Sequence, residues 1–466
     1  MSSVTPSPSH ASAPASRAPD TRPLWRVFLV FLGPMVVSNV LQALSGTFNN
    51  VFIGQMLGTH ALAAVASVFP IVFFLISLVI GIGSGASVLI GQAWGAKETH
   101  KVKQIAGTAL GLGLMLGAAI AVLGGTFTEG MLKLLHTPPS VLPDALGYAR
   151  VMMWAMPGLL VFILSTAMMR GVGDTVTPLL ALLLSTAVSC VLTPAFIRGW
   201  WGLPSLGVTS AATASIGAFV CALIFLVVYM RWKKHPLAPD AEMLRAFRVD
   251  PKLLKLVMKI GLPTGMQVIV MSLAEVALLS LVNSFGADAT AAYGAVNQVV
   301  NYVQFPALSI AITSSILGAQ AIGAGKMDRL GAITRTGLKM NVVLTGSLVL
   351  LGYLLSRHLL GLFITSQPVV ELAQTLLHIM LWGSIIYGFA AVLSGVMRAS
   401  GAVLVPTCIS IFCIAAIEVP SAYALAARFG IEGVWMAYPI CFVSMLVMQA
   451  AYYRFFWRKR KIVRLV

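Results

Sequence analysis

The segment Arg170–Pro178, "RGVGDTVTP", sets an arginine and an aspartate between two long apolar runs, and a weaker copy, "RASGAVLVP", occupies Arg398–Pro406. Sliding the chain on itself by the 228 residues that separate them aligns landmarks well beyond this string. Arg170, Gly173 and Pro178 fall on Arg398, Gly401 and Pro406. Gly58 falls on Gly286, Gln92 on Gln320, Gly95 on Gly323, Thr137 on Thr365 and Trp154 on Trp382. Towards the ends of the halves the offset becomes 226, with Pro194 on Pro420 and Gly207 on Gly433. Chance does not hold one register over such a length, so the chain is an internal duplication.

What is duplicated is apolar. Of 466 residues 58% are hydrophobic and 10% charged, whereas a water-soluble domain carries roughly 25% charged residues. A bilayer core offers no water to an open backbone, and a spanning helix needs about 20 mostly apolar residues. Twelve such stretches start near residues 27, 62, 105, 146, 176, 207, 260, 290, 340, 372, 403 and 433. Six per half returns the chain to its starting side, so the halves are parallel and related by an axis along the membrane normal. The expected fold is an all-α membrane protein of twelve transmembrane helices in two six-helix bundles with pseudo-two-fold symmetry. Its divisions are a disordered tail (1–24, rich in Ser, Pro and Ala), a first lobe (25–230), a polar linker (231–259), a second lobe (260–453) and a basic tail (454–466).

The net charge of +17 sorts by side. With both termini in the cytoplasm, 26 of the 31 lysines and arginines are inner, and only Lys133, Arg150, Arg198, Arg357 and Arg428 are outer. This is the positive-inside pattern, and nucleic-acid binding explains nothing further. The five cysteines lie in apolar runs without ligand spacing, and the histidines form no metal set, so neither a disulfide framework, a metal site nor an enzyme is indicated.

Charged groups at bilayer depth are costly and usually functional. Of the fourteen acids only Glu275 and Glu418 fall deep in apolar stretches, the seventh and eleventh, both in the second half. Glu275 shares a helical face with Gln267 and Met271 at spacings of four. A carboxyl group kept from water favours its protonated form and releases the proton when water or a cation arrives. Glu275 is therefore the expected coupling acid, a hydrogen-bonded structural glutamate being the other reading. Glu418, two residues before Pro420, either shares that ion or reaches the headgroups from a helix end.

Uncharged polar residues accompany them. Asn297, Asn301 and Gln304 make one stripe in the eighth stretch, fitting either a helix–helix seam or a cavity lining. Trp382 and Tyr387 offer aromatic faces for a flat cation. In the first stretch Ser38, Gln42, Ser45 and Asn49 form a polar face without charge. Arg170, Asp174 and Arg398 lie at helix ends and read as a cytoplasmic gate, with Asp174 near the start of the fifth helix and paired to either arginine. No lysine or arginine is expected at mid-depth.

"RGVGDTVTP", with "NNVFIGQMLGTHALAAVA" at 49–66 and "LVNSFGADATAAYGAVNQ" at 281–298, resembles the multidrug and toxic compound extrusion (MATE) family over about residues 25–453. The resemblance implies a secondary antiporter in a bacterial inner membrane. It would export amphipathic, often cationic compounds against protons or sodium ions by alternating access, without a cofactor, and act as a monomer. A lipid-linked sugar flippase of the same superfamily is the alternative; it would be expected to place basic residues in the cavity for a pyrophosphate. Many relatives carry a glutamate at the Glu275 position. They often have an aspartate at the positions of Asn49 and Thr193, an asparagine at that of Ser189 and an acid at that of Tyr387, so the first half is not expected to hold an ion site.

Overall fold

The computed structural model describes residues 23–135, 137–241, 243, 247 and 249–466. Apart from Pro23 and Leu24, the tail expected over 1–24 lies outside the described residues. Twelve described helices are long and apolar enough to cross a membrane. The first six are α1 (Leu24–Leu57), α2 (Thr59–Gly95), α3 (Thr99–Leu134), α4 (Leu142–Gly171), α5 (Val176–Arg198) and α6 (Gly207–Trp232). The second six are α7 (Pro251–Asn283), α8 (Ala287–Gly323), α9 (Arg329–Gly361), α10 (Gln367–Ala399), α11 (Leu404–Phe429) and α12 (Ile431–Lys459). The described residues contain no strand.

The duplication is visible in the backbone. Helices α2 and α8 are each 37 residues long. Gly173 and Gly401, which turn the chain after α4 and α10, both have positive φ, 94° and 78°, a region open to glycine for want of a Cβ. The symmetry is broken at α10, interrupted at Trp382, and at α11, where residues Cys413–Glu418 form a π-helical turn before Pro420.

Several helix starts differ from the sequence reading, α9 the most, beginning at Arg329 and not near 340. The linker is shorter than 231–259, because α7 begins at Pro251, where Asp250 accepts a hydrogen bond from the Lys252 amide at 2.8 Å; proline suits this first position, having no amide to satisfy. The basic tail is docked: Trp457 is buried and its Nε1 donates to Ser400 Oγ at 2.9 Å. Farther on, Arg464 pairs with Glu98 at 2.5 Å and the Leu465 amide donates to Gln92 Oε1 at 2.9 Å. The segment thus ties the end of α2 to the loop after α10. Lys101 and Arg464 hold the Glu98 carboxyl below its ordinary value.

The two lobes meet on the side bearing the linker and these basic loops. Gln92 Nε2 donates to the Ala399 carbonyl at 2.8 Å, and Gln320 Nε2 donates to the Gly171 carbonyl at 3.0 Å. Donors and acceptors are repeat equivalents, so the pseudo-two-fold axis passes between these bonds. Beside them a Cβ at Gly95 would lie 2.1 Å from the Gln320 carbonyl oxygen, and one at Gly323 1.9 Å from that of Gln92. Small residues permit such approach between helices in lipid. Farther up, Gly81 of α2 packs on Gly261 and Gly265 of α7. The equivalent contact between α8 and α1 is looser, since a Cβ at Gly33, the counterpart of Gly261, would meet nothing within 4 Å. Towards the opposite side the lobes leave an open groove of about 600 Å³ between Thr47 of α1 and Asp288, Ala291 and Gln298 of α8.

Candidate transport site between the lobes

A cavity of about 270 Å³ lies above the seam, walled by α2, α4, α7, α8, α10, α11 and α12. Its lining follows the repeat: Ile80 and Leu308, Ser87 and Ser315, Val88 and Ile316, and Arg170 and Arg398 are equivalent pairs. The cavity lies between the lobes but is displaced towards the second, whose Thr264, Gln267, Val268, Met271, Ser410 and Met445 line it without first-lobe counterparts. Of the eight residues expected to line it, only Gln267 and Tyr387 do so.

The others are placed as follows. Gln42 and Asn301 are exposed, and Gln304 is half-buried away from the cavity. Asn297 bonds the Tyr293 hydroxyl within the second lobe. Trp382 is exposed at the break in α10. Asn49 accepts hydrogen bonds from Thr193 Oγ1 at 3.2 Å and Ser189 Oγ at 3.4 Å, forming a neutral α1–α5 cluster. Helical periodicity correctly grouped Asn297, Asn301 and Gln304 on one face but could not say which neighbour covers it.

Both intramembrane carboxylates belong to the second lobe. Gln267 and Met271 line the cavity, and Glu275 follows Met271 by one helical turn on the same face. Glu275 is exposed on the surface of the described protein. Glu418 is only 6% exposed, ends the π-helical turn of α11, and lies against the Cys441 thiol of α12. Turns of this kind recur at functional sites because the misfit frees backbone groups. The two carboxylates lie within electrostatic reach of each other and of Tyr293 and Tyr438, whose hydroxyls are 3.1 Å apart. Among the described residues no lysine, arginine or histidine forms an ion pair with either glutamate. Tyr293, Tyr438 and Cys441 were not singled out in the sequence, where they are ordinary residues of apolar helices; their convergence is a product of packing.

The gate residues are arranged differently from expectation. Asp174 does not pair with Arg170 or Arg398. It accepts from the Val176 and Thr177 amides at 3.1 and 3.0 Å, and from the Thr177 hydroxyl at 2.5 Å, and it pairs with His235 at 3.4 Å. Unmet amides at a helix start attract a carboxylate more closely than a distant guanidinium. Both arginines, in the last turns of α4 and α10, line the central cavity instead.

Partial burial of Asp174 disfavours its charge, but the bonds from His235 and Thr177 prevail and hold the carboxyl below its ordinary value. The stabilisation is therefore complete above the unfolded value, near pH 3.9 for an ordinary aspartate, and is lost as pH falls through the lower folded value. Asp174→Ala is expected to cost about 1 kcal/mol, the usual worth of a helix-start acceptor. Thermal unfolding in detergent should show the deficit at neutral pH and its disappearance in acid; a deficit of constant size down to roughly pH 3 would contradict this linkage.

The comparisons with known proteins agree with this architecture. The MatE family model matches twice, over residues 34–195 and 263–424, once in each lobe. A probable multidrug resistance protein, YoeA of Bacillus subtilis (strain 168), is 43% identical over 445 residues, covering 95% of this chain and 96% of the relative. The multidrug export protein MepA of Staphylococcus aureus (strain MSSA476) is 23% identical over 412 residues, covering 88% of this chain and 89% of its own. Among solved structures, a mutant of the Vibrio cholerae MATE transporter VcmN superposes with a TM-score of 0.86 at 20% identity, over 94% of this chain and 98% of that one. With the family model found in both lobes and a 43% identical relative spanning almost its whole length, this duplicated twelve-helix chain belongs to the MatE family.

Proposed function

We propose that the protein is a secondary antiporter that exports amphipathic, cationic compounds in exchange for protons or sodium ions. The observation that carries this reading is the pair Glu275 and Glu418, two carboxylates without a basic partner, gathered in one lobe beside an interlobe cavity. Neighbouring carboxylates resist joint ionisation, so a proton or sodium ion stabilises the site when it is empty. A positively charged substrate replaces that ion, and the exchange is the coupling. The first lobe, with Asn49 and Thr193 at positions where relatives often carry an aspartate, serves substrate contact. The relatives' names, a multidrug resistance protein and a multidrug export protein, support the export of small molecules.

Transport proceeds by alternating access, with the two lobes rocking about the pseudo-two-fold axis. The 26-to-5 distribution of basic residues supports a cytoplasmic position for the linker side and both termini, and the bacterial relatives support a bacterial inner membrane. The seam at Gln92 and Gln320 is then the cytoplasmic gate in its closed state. The chain works as a monomer, without a cofactor beyond the transported ion.

The test is uptake of a fluorescent cationic dye into everted membrane vesicles under an imposed pH gradient or sodium gradient. Coupling between two sites is typically worth roughly 5- to 150-fold, so Glu275→Gln is expected to reduce gradient-driven accumulation at least about tenfold. Wild-type dependence on both gradients in Glu275→Gln would sink this assignment.

A further inference from the structure

The central cavity collects hydrogen-bond donors that are incompletely satisfied. Arg398 donates from Nη1 to Ser84 Oγ at 3.4 Å, while its Nε is buried without a partner. Arg170 is in the same wall, with no side-chain bond or ion pair among the described residues. Ser315 Oγ, equivalent to Ser87 and lining the same space, is also buried and unpartnered. Among the described residues no carboxylate lines the cavity, and neither guanidinium forms an ion pair. Asp174, the nearest acid in sequence to Arg170, is occupied at the start of α5 and by His235. Glu275 and Glu418, the acids proposed to couple ions, belong to a different cluster of the second lobe.

Each guanidinium presents planar donors suited to two oxygens of one anion. The two arginines are repeat equivalents, one from each lobe, and both line the one cavity. Ile80, Leu308, Val88 and Ile316 supply apolar wall beside them. We propose that Arg170 and Arg398 form a binding site for an oxyanion, a phosphate or carboxylate carried as the headgroup of an amphiphile, whose hydrocarbon lies along that wall. This deepens the transport reading and rests on it: the path between the lobes would accept anionic or zwitterionic amphiphiles as well as cations, with opposite charges held at separate places.

The test is calorimetric titration of the full chain in phosphatidylcholine nanodiscs, with no ion gradient, using dodecyl phosphate, inorganic phosphate and dodecyltrimethylammonium. Dodecyl phosphate is expected to bind one-to-one, more weakly at high salt, and at least about tenfold more weakly in the Arg170→Gln/Arg398→Gln double variant, charge-assisted pairs being the strong ones. The Arg170→Lys/Arg398→Lys variant keeps both charges but not the planar fork and is expected to bind with an affinity between those of wild type and the Gln variant, which serves as control if the Gln variant folds poorly. Competition by inorganic phosphate would identify a free anion as sufficient. Weakened dodecyl phosphate binding in nanodiscs containing phosphatidylglycerol would identify a lipid headgroup as the natural source. Equal binding by wild type and the Gln variant, or binding by the folded Lys variant weaker than by the Gln variant, overturns the proposal. Since binding is read without a gradient, a failure of dye export with intact dodecyl phosphate binding counts against the antiport reading alone.

Discussion

Gly323→Val is expected to abolish most gradient-driven export while leaving both lobes folded. A Cβ at this position would stand 1.9 Å from the Gln92 carbonyl oxygen, and the obstacle is backbone of the opposite lobe. No rotamer change relieves such an overlap; the lobes must move apart. Overpacking of this kind costs roughly 1–3 kcal/mol and occasionally more, which shifts a two-state balance by roughly 5- to 150-fold away from the closed seam. Gly95→Val should do the same, its Cβ falling 2.1 Å from the Gln320 carbonyl oxygen. Hydrogen exchange read by mass spectrometry is the direct measurement. Residues 88–97 and 316–325 should exchange faster in either variant, while the second-lobe core around Leu278, Val296 and Leu377 keeps its protection. Unchanged exchange in both segments together with wild-type export would refute the gate.

Glu418→Gln is expected to uncouple transport with little loss of stability. Glu418 is 6% exposed and has no basic partner among the described residues, so the substitution leaves no opposite charge stranded; stranding one is what makes the loss of a buried ion-pair partner costly. The amide fills nearly the same space against Cys441 but cannot bind or release a proton. Gradient-driven accumulation should fall at least about tenfold, as expected for removal of a coupling interaction. Downhill substrate exchange between vesicle and medium should survive. Glu418→Gln that accumulates dye with wild-type dependence on pH and sodium would show Glu418 to be structural.

Much of the architecture was legible in the sequence because membrane helices are local objects. Length and apolarity decide a span within one stretch, and the 228-residue register relates the spans before any contact is known. The start of α7 was misplaced, near 260 instead of Pro251, although Asp250 and Pro251 are themselves a helix-start signal. The positively charged segment 252–259 concealed it, since apolarity had been used to find the helix. The π-helical turn at Cys413–Glu418 left only Pro420 as a cue, and Pro194, its repeat counterpart, lies within an uninterrupted α5.

The candidate site was legible in part for the same reason. The asymmetry of the acids is a property of composition along single helices, so Glu275 and Glu418 could be picked out individually. Their joining with Tyr293, Tyr438 and Cys441 depends on how α7, α8, α11 and α12 pack. Arg170 and Arg398 were misread because proximity in sequence favoured Asp174 as their partner, whereas the α5 amides and His235 engage it in three dimensions.

By itself the sequence determined the class of protein, the number of spans, the parallel duplication and the half that carries the acids, since hydrophobicity, periodicity and repeat register are all carried along one strand of chain. Only the tertiary structure decided which polar faces meet, that the lobes close at Gln92 and Gln320, and that two arginines 228 residues apart share one cavity. Those are relations between helices, set by close approach at glycine and by the need of each buried donor for an acceptor.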